Sequence, residues 1–174
     1  RIRDVLAGDR AIKRAGQKYV PRLDSQTDEE FRAYVERGFF YNATARTVSG
    51  YIGMIFRRDP VLQLPDKSVA LHPALRTFVN DVDLLGTTLD SYARNIIDEV
   101  VSLGRAGTLV DWHGDQESRA YLSLYAAESI LNWRQTRIDG HLKLSLVVLS
   151  EFAPGVPKDD EPFVVQDISQ LRVL

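Results

Sequence analysis

The 174-residue sequence contains no cysteine. That excludes a disulfide framework and any thiolate metal site, and it agrees with a reducing compartment. No apolar run approaches the roughly 18 residues that a membrane-crossing helix needs. No signal-peptide pattern follows the first residue, Arg1. Charge of one sign is not in excess either: 22 Lys and Arg face 24 Asp and Glu, a net −2. Bulk attraction to nucleic acid is therefore not a principle of this chain, although a local basic patch stays open. Internal repeats and low-complexity segments are also missing.

What is present is ordinary for a globular protein. Apolar residues make up 44% and charged residues 26%, enough for a core in one domain spanning 1–174 and too apolar for a disordered chain. The closing residues, "QLRVL", have strand character, and the expectation is a fragment, or the ordered part of something longer.

Helical signals fill the first part, to about residue 104. Ile2, Val5, Leu6 and Ile12 have helical spacing, with Gly8 a weak point and Gly16 a stop. Thr27 and Glu30 form a capping box. A helical region then runs from Asp28 to about Arg58, breaking near Gly38 and "YNAT" at 41–44 and ending at Asp59-Pro60. "VLQL" at 61–64 suggests a short strand, "PDKSVALHP" a loop and "ALRTFVNDV" a short helix. The clearest helix follows, capped by Thr87 or Thr88. Its Leu89, Tyr92, Ala93, Ile96, Ile97 and Val100 keep the i, i+3, i+4 rule, and Gly104 stops it. From about 105 the period becomes that of strands. "TLVDW", "AYLSLYA", the segments either side of Asp139-Gly140, "FVVQDI" and "LRVL" are extended, with "ESILNW" a turn or helical step. Asp139-Gly140 is a hairpin signal because such turns need positive φ. Helices first and strands after predict an α+β fold with a mainly antiparallel sheet.

Several stretches invite a chemical reading. "SLGRAGTLVDWH" at 102–113 has two glycines beside an arginine. Phosphate loops run strand, turn, helix, so that a helix N-terminus meets the anion. Here the order is reversed and the wrong dipole end is offered. A helix stop at Gly104 and the start of a buried strand at Gly107 fit better. Asp111, His113 and Asp115 alternate, so on a strand they share one face and suit a divalent metal. Gly114 and the polar residues after it equally describe a loop tip. His72 and His141 have no candidate nucleophile near them in sequence, and no nucleophile elbow is present. A triad assembled in space stays open. Arg57 and Arg58 at a helix end complement its dipole or meet a partner, and Arg46, among small residues, faces a partner or solvent. Trp112 and Trp133 are expected in the core rather than as base-stacking platforms.

Taken as a series, the segments resemble the N-terminal wing region of tailed-bacteriophage portal proteins, a branch often catalogued as phage proteins of unknown function. The resemblance starts in "RAIKRAGQKYVPRLDSQTDEEFRAYVERGFFYNATARTVSGYIGMIFRRDP", with Tyr19, Pro21, Tyr41-Asn42, Gly50 and Gly53, and continues into "RRDPVLQL". "SYARNIIDEVVSLGRAGTLVDW" and "YLSLYAAESILNW" follow in order. No one motif is diagnostic; the order and spacing carry the likeness along nearly the whole chain.

The resemblance implies a wing-like α+β piece of a longer subunit, without the stem, clip and crown. It implies a structural, non-enzymatic role without cofactor, in a ring of usually twelve copies at one capsid vertex. The expected partners are further copies of the subunit, the terminase large subunit, the major capsid protein, a head-completion or adaptor protein, and double-stranded DNA passing without sequence specificity. The expected location is the virion, assembled in the bacterial cytoplasm, with no membrane contact. Arg46, Arg57 and Arg58 are the candidate subunit-interface residues. The alternatives are another virion adaptor or minor capsid protein and, behind it, a metal-dependent hydrolase built on Asp111, His113 and Asp115.

Overall fold

The computed structural model describes residues 1–63, 72–114, 118–153 and 167–174. The fold is α+β, with helices first and antiparallel sheets after them. It divides into two compact units: 1–63 with 101–103, and 64–100 with 104–174. The change from helix-rich to strand-rich sequence near 104 is therefore not the border between units. Among the described residues no helix is long and apolar enough to cross a membrane.

The first unit holds α1 (Ile2–Ala7), α2 (Asp9–Ala15), a 3-10 turn (Gly16–Lys18), α3 (Asp28–Arg37) and α4 (Ala43–Ile55). Gly8, at φ 89°, separates α1 from α2, a conformation costly for any residue with a Cβ. The Thr27–Glu30 capping box forms at α3 as expected, each side chain meeting the other's backbone N–H. Asn42 does two jobs. Its carbonyl oxygen caps α4 by accepting from the Ala45 N–H (2.9 Å), and its amide donates to the carbonyls of Val5 (2.7 Å) and Leu6 (3.3 Å). One side chain thus satisfies an orphan donor at the start of α4 and ties it to two carbonyls in the last turn of α1, of which Val5's also accepts from the Gly8 N–H. The inward stripe of α4 is Ala45, Val48, Ile52 and Phe56, all partly buried.

Two expectations are corrected here. The helix stops at Ile55, so Arg57 and Arg58 lie in the turn beyond it rather than in its last turn. Val61–Gln63 form no strand, and no pairing ladder reaches them; an unpaired extended segment gains none of the hydrogen bonds that hold a strand. The rest of that stretch, 64–71, lies outside the described residues, as does most of the expected loop.

The second unit holds α5 (His72–Asn80), most of α6 (Leu89–Leu103), and strands β1 (Gly107–His113), β2 (Arg119–Tyr125), β3 (Ile130–Ile138), β4 (His141–Ala153) and β5 (Ile168–Val173). Thr88 caps α6 through its hydroxyl, which accepts from Ser91 N–H, and Gly104 ends it in the left-handed region. β1 and β2 pair as a two-stranded antiparallel sheet, and β3-β4-β5 form a three-stranded one. Asp139 (φ 51°) and Gly140 (φ 78°) make the two-residue turn between β3 and β4. A 3-10 turn at Ala127–Ser129 leads into β3, so only the start of "ESILNW" is a turn and the remainder is strand. Of "FVVQDI", residues 163–166 lie outside the described residues, and β5 begins at Ile168.

Buried apolar residues are few among those described. Ile12 is the one in the first unit; Val82, Tyr92, Tyr125, Ala127 and Leu149 are in the second. Val82 is fully buried, and its carbonyl accepts from Leu122 N–H (2.7 Å), tying the loop before α6 to the edge of β2. Tyr92 brings α6 onto β1 by donating to the Thr108 hydroxyl (3.3 Å).

Gly50 and Gly53 stand inside α4, where a Cβ would meet nothing within 4 Å. Glycine in a helix interior costs about 1 kcal/mol relative to alanine. Gly50→Ala and Gly53→Ala should each raise unfolding free energy by about 0.5–1 kcal/mol in urea titrations. Gly104→Ala should lower it by about 1 kcal/mol, because alanine resists the left-handed cap.

Candidate functional site

The second unit concentrates its polar chemistry where β1 and β2 face β4 and β5. Strand alternation places Asp111 opposite Tyr121, and Gly107 opposite Tyr125, on one face of the β1–β2 sheet. On the other sheet, Leu149 pairs with Arg172 and Glu151 with Gln170, again on one face. Arg172 joins the two. Its Nε donates to Glu151 (2.6 Å) and its Nη1 to Asp111 (2.8 Å). Glu151 also accepts from the Tyr125 hydroxyl and from Gln170 (3.1 Å). Asp111 also accepts from its neighbour Trp112 N–H (2.8 Å) and from Tyr121 (3.4 Å).

The electrostatics follow from these contacts. The Trp112 N–H, then Arg172 and Tyr121, hold the Asp111 carboxyl below the usual range, against partial burial. The hydrogen bond from Tyr125, with Arg172 and Gln170, lowers Glu151. Burial first, and Glu151 second, push the Tyr125 phenol up to about 12, so it remains a donor. Bonding to Glu151 raises Arg172 further. The cluster is a clamp between sheets in which one guanidinium serves two carboxylates, a net −1, and so is not an open anion site.

Tyr125 also borders an apolar groove of about 320 Å³, lined by Leu109, Ile130, Trp133, Leu144, Val147 and Leu149 among others. Leu144 and Val147 are three residues apart and would point to opposite faces of a regular strand. The irregularity between Arg134 and Gln135 skips Ser145 in the pairing and returns both to the groove.

The glycine stretch makes local contacts. Gly104 caps α6, and Arg105 donates to the carbonyls of Ala127 (3.1 and 2.7 Å) and Ile130 (3.1 Å) while stacking 5.1 Å from the Trp133 ring centre. Its guanidinium secures the start of β3. A Cβ on Gly107 would come within 3.1 Å of Ile130 Cδ1, so the position requires a close approach. β1 is not the buried strand expected: Val110 is 66% exposed and Trp112 62%, because only alternate residues turn inward. Trp133, 48% exposed, is not core either.

Of the expected metal arrangement, only Asp111 and His113 are among the described residues. Asp111 is committed to Arg172, Asp115 lies outside the described residues, and no cluster of three potential ligands exists among the described residues. His113 and His141 are exposed, and His72 opens α5. Arg46 stacks over Tyr41 (5.2 Å) and donates to its hydroxyl (3.3 Å). Arg57 and Arg58 are exposed. All three belong to the first unit. Sequence reasoning did not find Arg172 or Glu151. The available signal was a charge on an apolar strand face: Val147, Leu149 and Glu151 alternate on β4, and Ile168, Gln170 and Arg172 share that face on β5.

Both carboxyls of the clamp are lowered on folding, so the folded state binds fewer protons than the unfolded one. Their stabilisation is full above the ordinary carboxyl range of about 4 and is lost as pH falls through the lowered values. Arg172→Met should lower the urea midpoint at pH 7 and lessen, without abolishing, its fall between about pH 5 and pH 2, because the Trp112 N–H and the Tyr125 hydroxyl still lower the two carboxyls; an unchanged midpoint at pH 7 would mean the clamp does not hold the sheets.

No family model matches the chain, and no curated protein matches it.

Proposed function

We propose that the chain is the wing-region part of a phage portal subunit, a structural component of the ring through which DNA enters and leaves the capsid. On this reading the terminase, the capsid shell and a head-completion protein dock on the assembled ring. The segments that carry the resemblance coincide with structural joints. Asn42 caps α4, Gly50 and Gly53 lie within it, and "SLGRAGTLVDW" is the α6 cap running into β1.

The observation that carries the proposal is uncovered apolar surface on both units. Tyr51, Met54 and Ile55 in the first are 52–64% exposed, and Trp112, Phe152 and Leu171 in the second are 62–72% exposed. A free-standing domain rarely leaves so many large apolar side chains in water. A subunit in a rotational ring needs two different contact faces, because each copy meets its neighbours heterologously.

Electron microscopy of the full-length subunit tests this. A closed ring with a central channel is the expected image; a compact monomer would overturn the proposal in favour of an adaptor or minor capsid role. Reversing Arg46, Arg57 and Arg58 to glutamate should reduce the fraction of particles in rings if they anchor the interface.

A further inference from the structure

We propose that the outer face of α4 docks on the second unit of another copy of this chain, so that copies join head to tail. The choice of a second copy as occupant rests on the ring reading; the surface and its orientation rest on the exposure and charge of this chain's own residues.

The inner stripe of α4 is used within its own unit. Its outer face carries Tyr51, Met54 and Ile55, at helical spacing, exposed to 52%, 64% and 52%. Tyr41, 59% exposed, extends the surface at the N-terminal end, and Val61 and Leu62 follow beyond the C-terminal end, 82% and 54% exposed. Arg46, Arg57 and Arg58 rim it, with Asp59 the one acid in that stretch. An apolar centre with a charged rim is the anatomy of a protein–protein contact.

Charge selects the occupant. The net −2 of the chain conceals an unequal division. Among the described residues the first unit carries 12 basic and 8 acidic residues, a net +4, and the second 8 basic and 10 acidic, a net −2. Two α4 faces meeting each other would oppose like rims, which suppresses that pairing. Meeting the second unit of a neighbour opposes unlike charges. The contact is heterologous, and repeating it leaves each copy with one face of either kind, closing into a ring or extending as a fibre.

Sedimentation velocity of the 174-residue chain should show self-association that weakens about tenfold or more between about 50 and 500 mM NaCl. Met54→Glu and the triple reversal of Arg46, Arg57 and Arg58 to glutamate should each weaken it by at least about tenfold, with far-UV circular dichroism unchanged. A photo-crosslinking residue at position 51 should capture peptides from the second unit of another copy. Capture of the α4 peptide itself, association indifferent to these variants, or a chain that stays monomeric at low salt would overturn the inference. If crosslinks fall as expected but microscopy shows no closed ring, the portal reading fails and this contact stands. If rings form and the α4 variants still build them, this contact fails alone.

Discussion

The second unit depends on a guanidinium shared between two carboxylates. It stands between two small sheets, of two and three strands. Arg172 supplies a directed link from β5 to β1 and to β4, and Tyr125 carries it to β2. Each carboxylate accepts from several donors, so neither is left without hydrogen bonds in the partly buried space between sheets. The groove beside the clamp and the register of β4 are arranged around the same strands.

The first unit reaches the same end with helix termini. Asp4 gathers Lys18 and the Tyr19 hydroxyl, Asp9 accepts from Phe40 N–H while pairing with Lys13, and Asn42 joins α1 to α4. Short helices are marginal in water by themselves. Here their orphan N–H and C=O groups become the points of attachment. With polar joints holding the helices, α4 can leave Tyr51, Met54 and Ile55 exposed.

Local signals are the legible part of this sequence. The Thr27 box, the Thr88 and Gly104 ends of α6 and the Asp139-Gly140 turn are evident because each is decided by a few adjacent residues. The reversal of order around Gly104, helix before strand, is enough to set aside a phosphate loop. What is not legible depends on residues distant in the chain. Arg172 and Asp111 are 61 positions apart, and Arg119 reaches back to Asp81. Trp112 and Trp133 stand outside the core because hydrophobicity marks a residue as buriable, while strand parity decides which face it takes. The end of α4 departs from expectation for a related reason: proline forbids helix before position 60 but does not oblige the helix to extend that far.

The double role of Asn42 narrows what substitution could do there. Serine, threonine, aspartate and asparagine usually exchange freely at the start of a helix, since each offers an oxygen to the exposed N–H groups. At this position the side chain must also give protons to two carbonyls of a different helix. Aspartate would turn a second acceptor toward them, and a hydroxyl has one proton and a shorter reach. Among capping residues the site is therefore not interchangeable, and variation at 42 would register a loosened joint between α1 and α4 rather than a weakened helix.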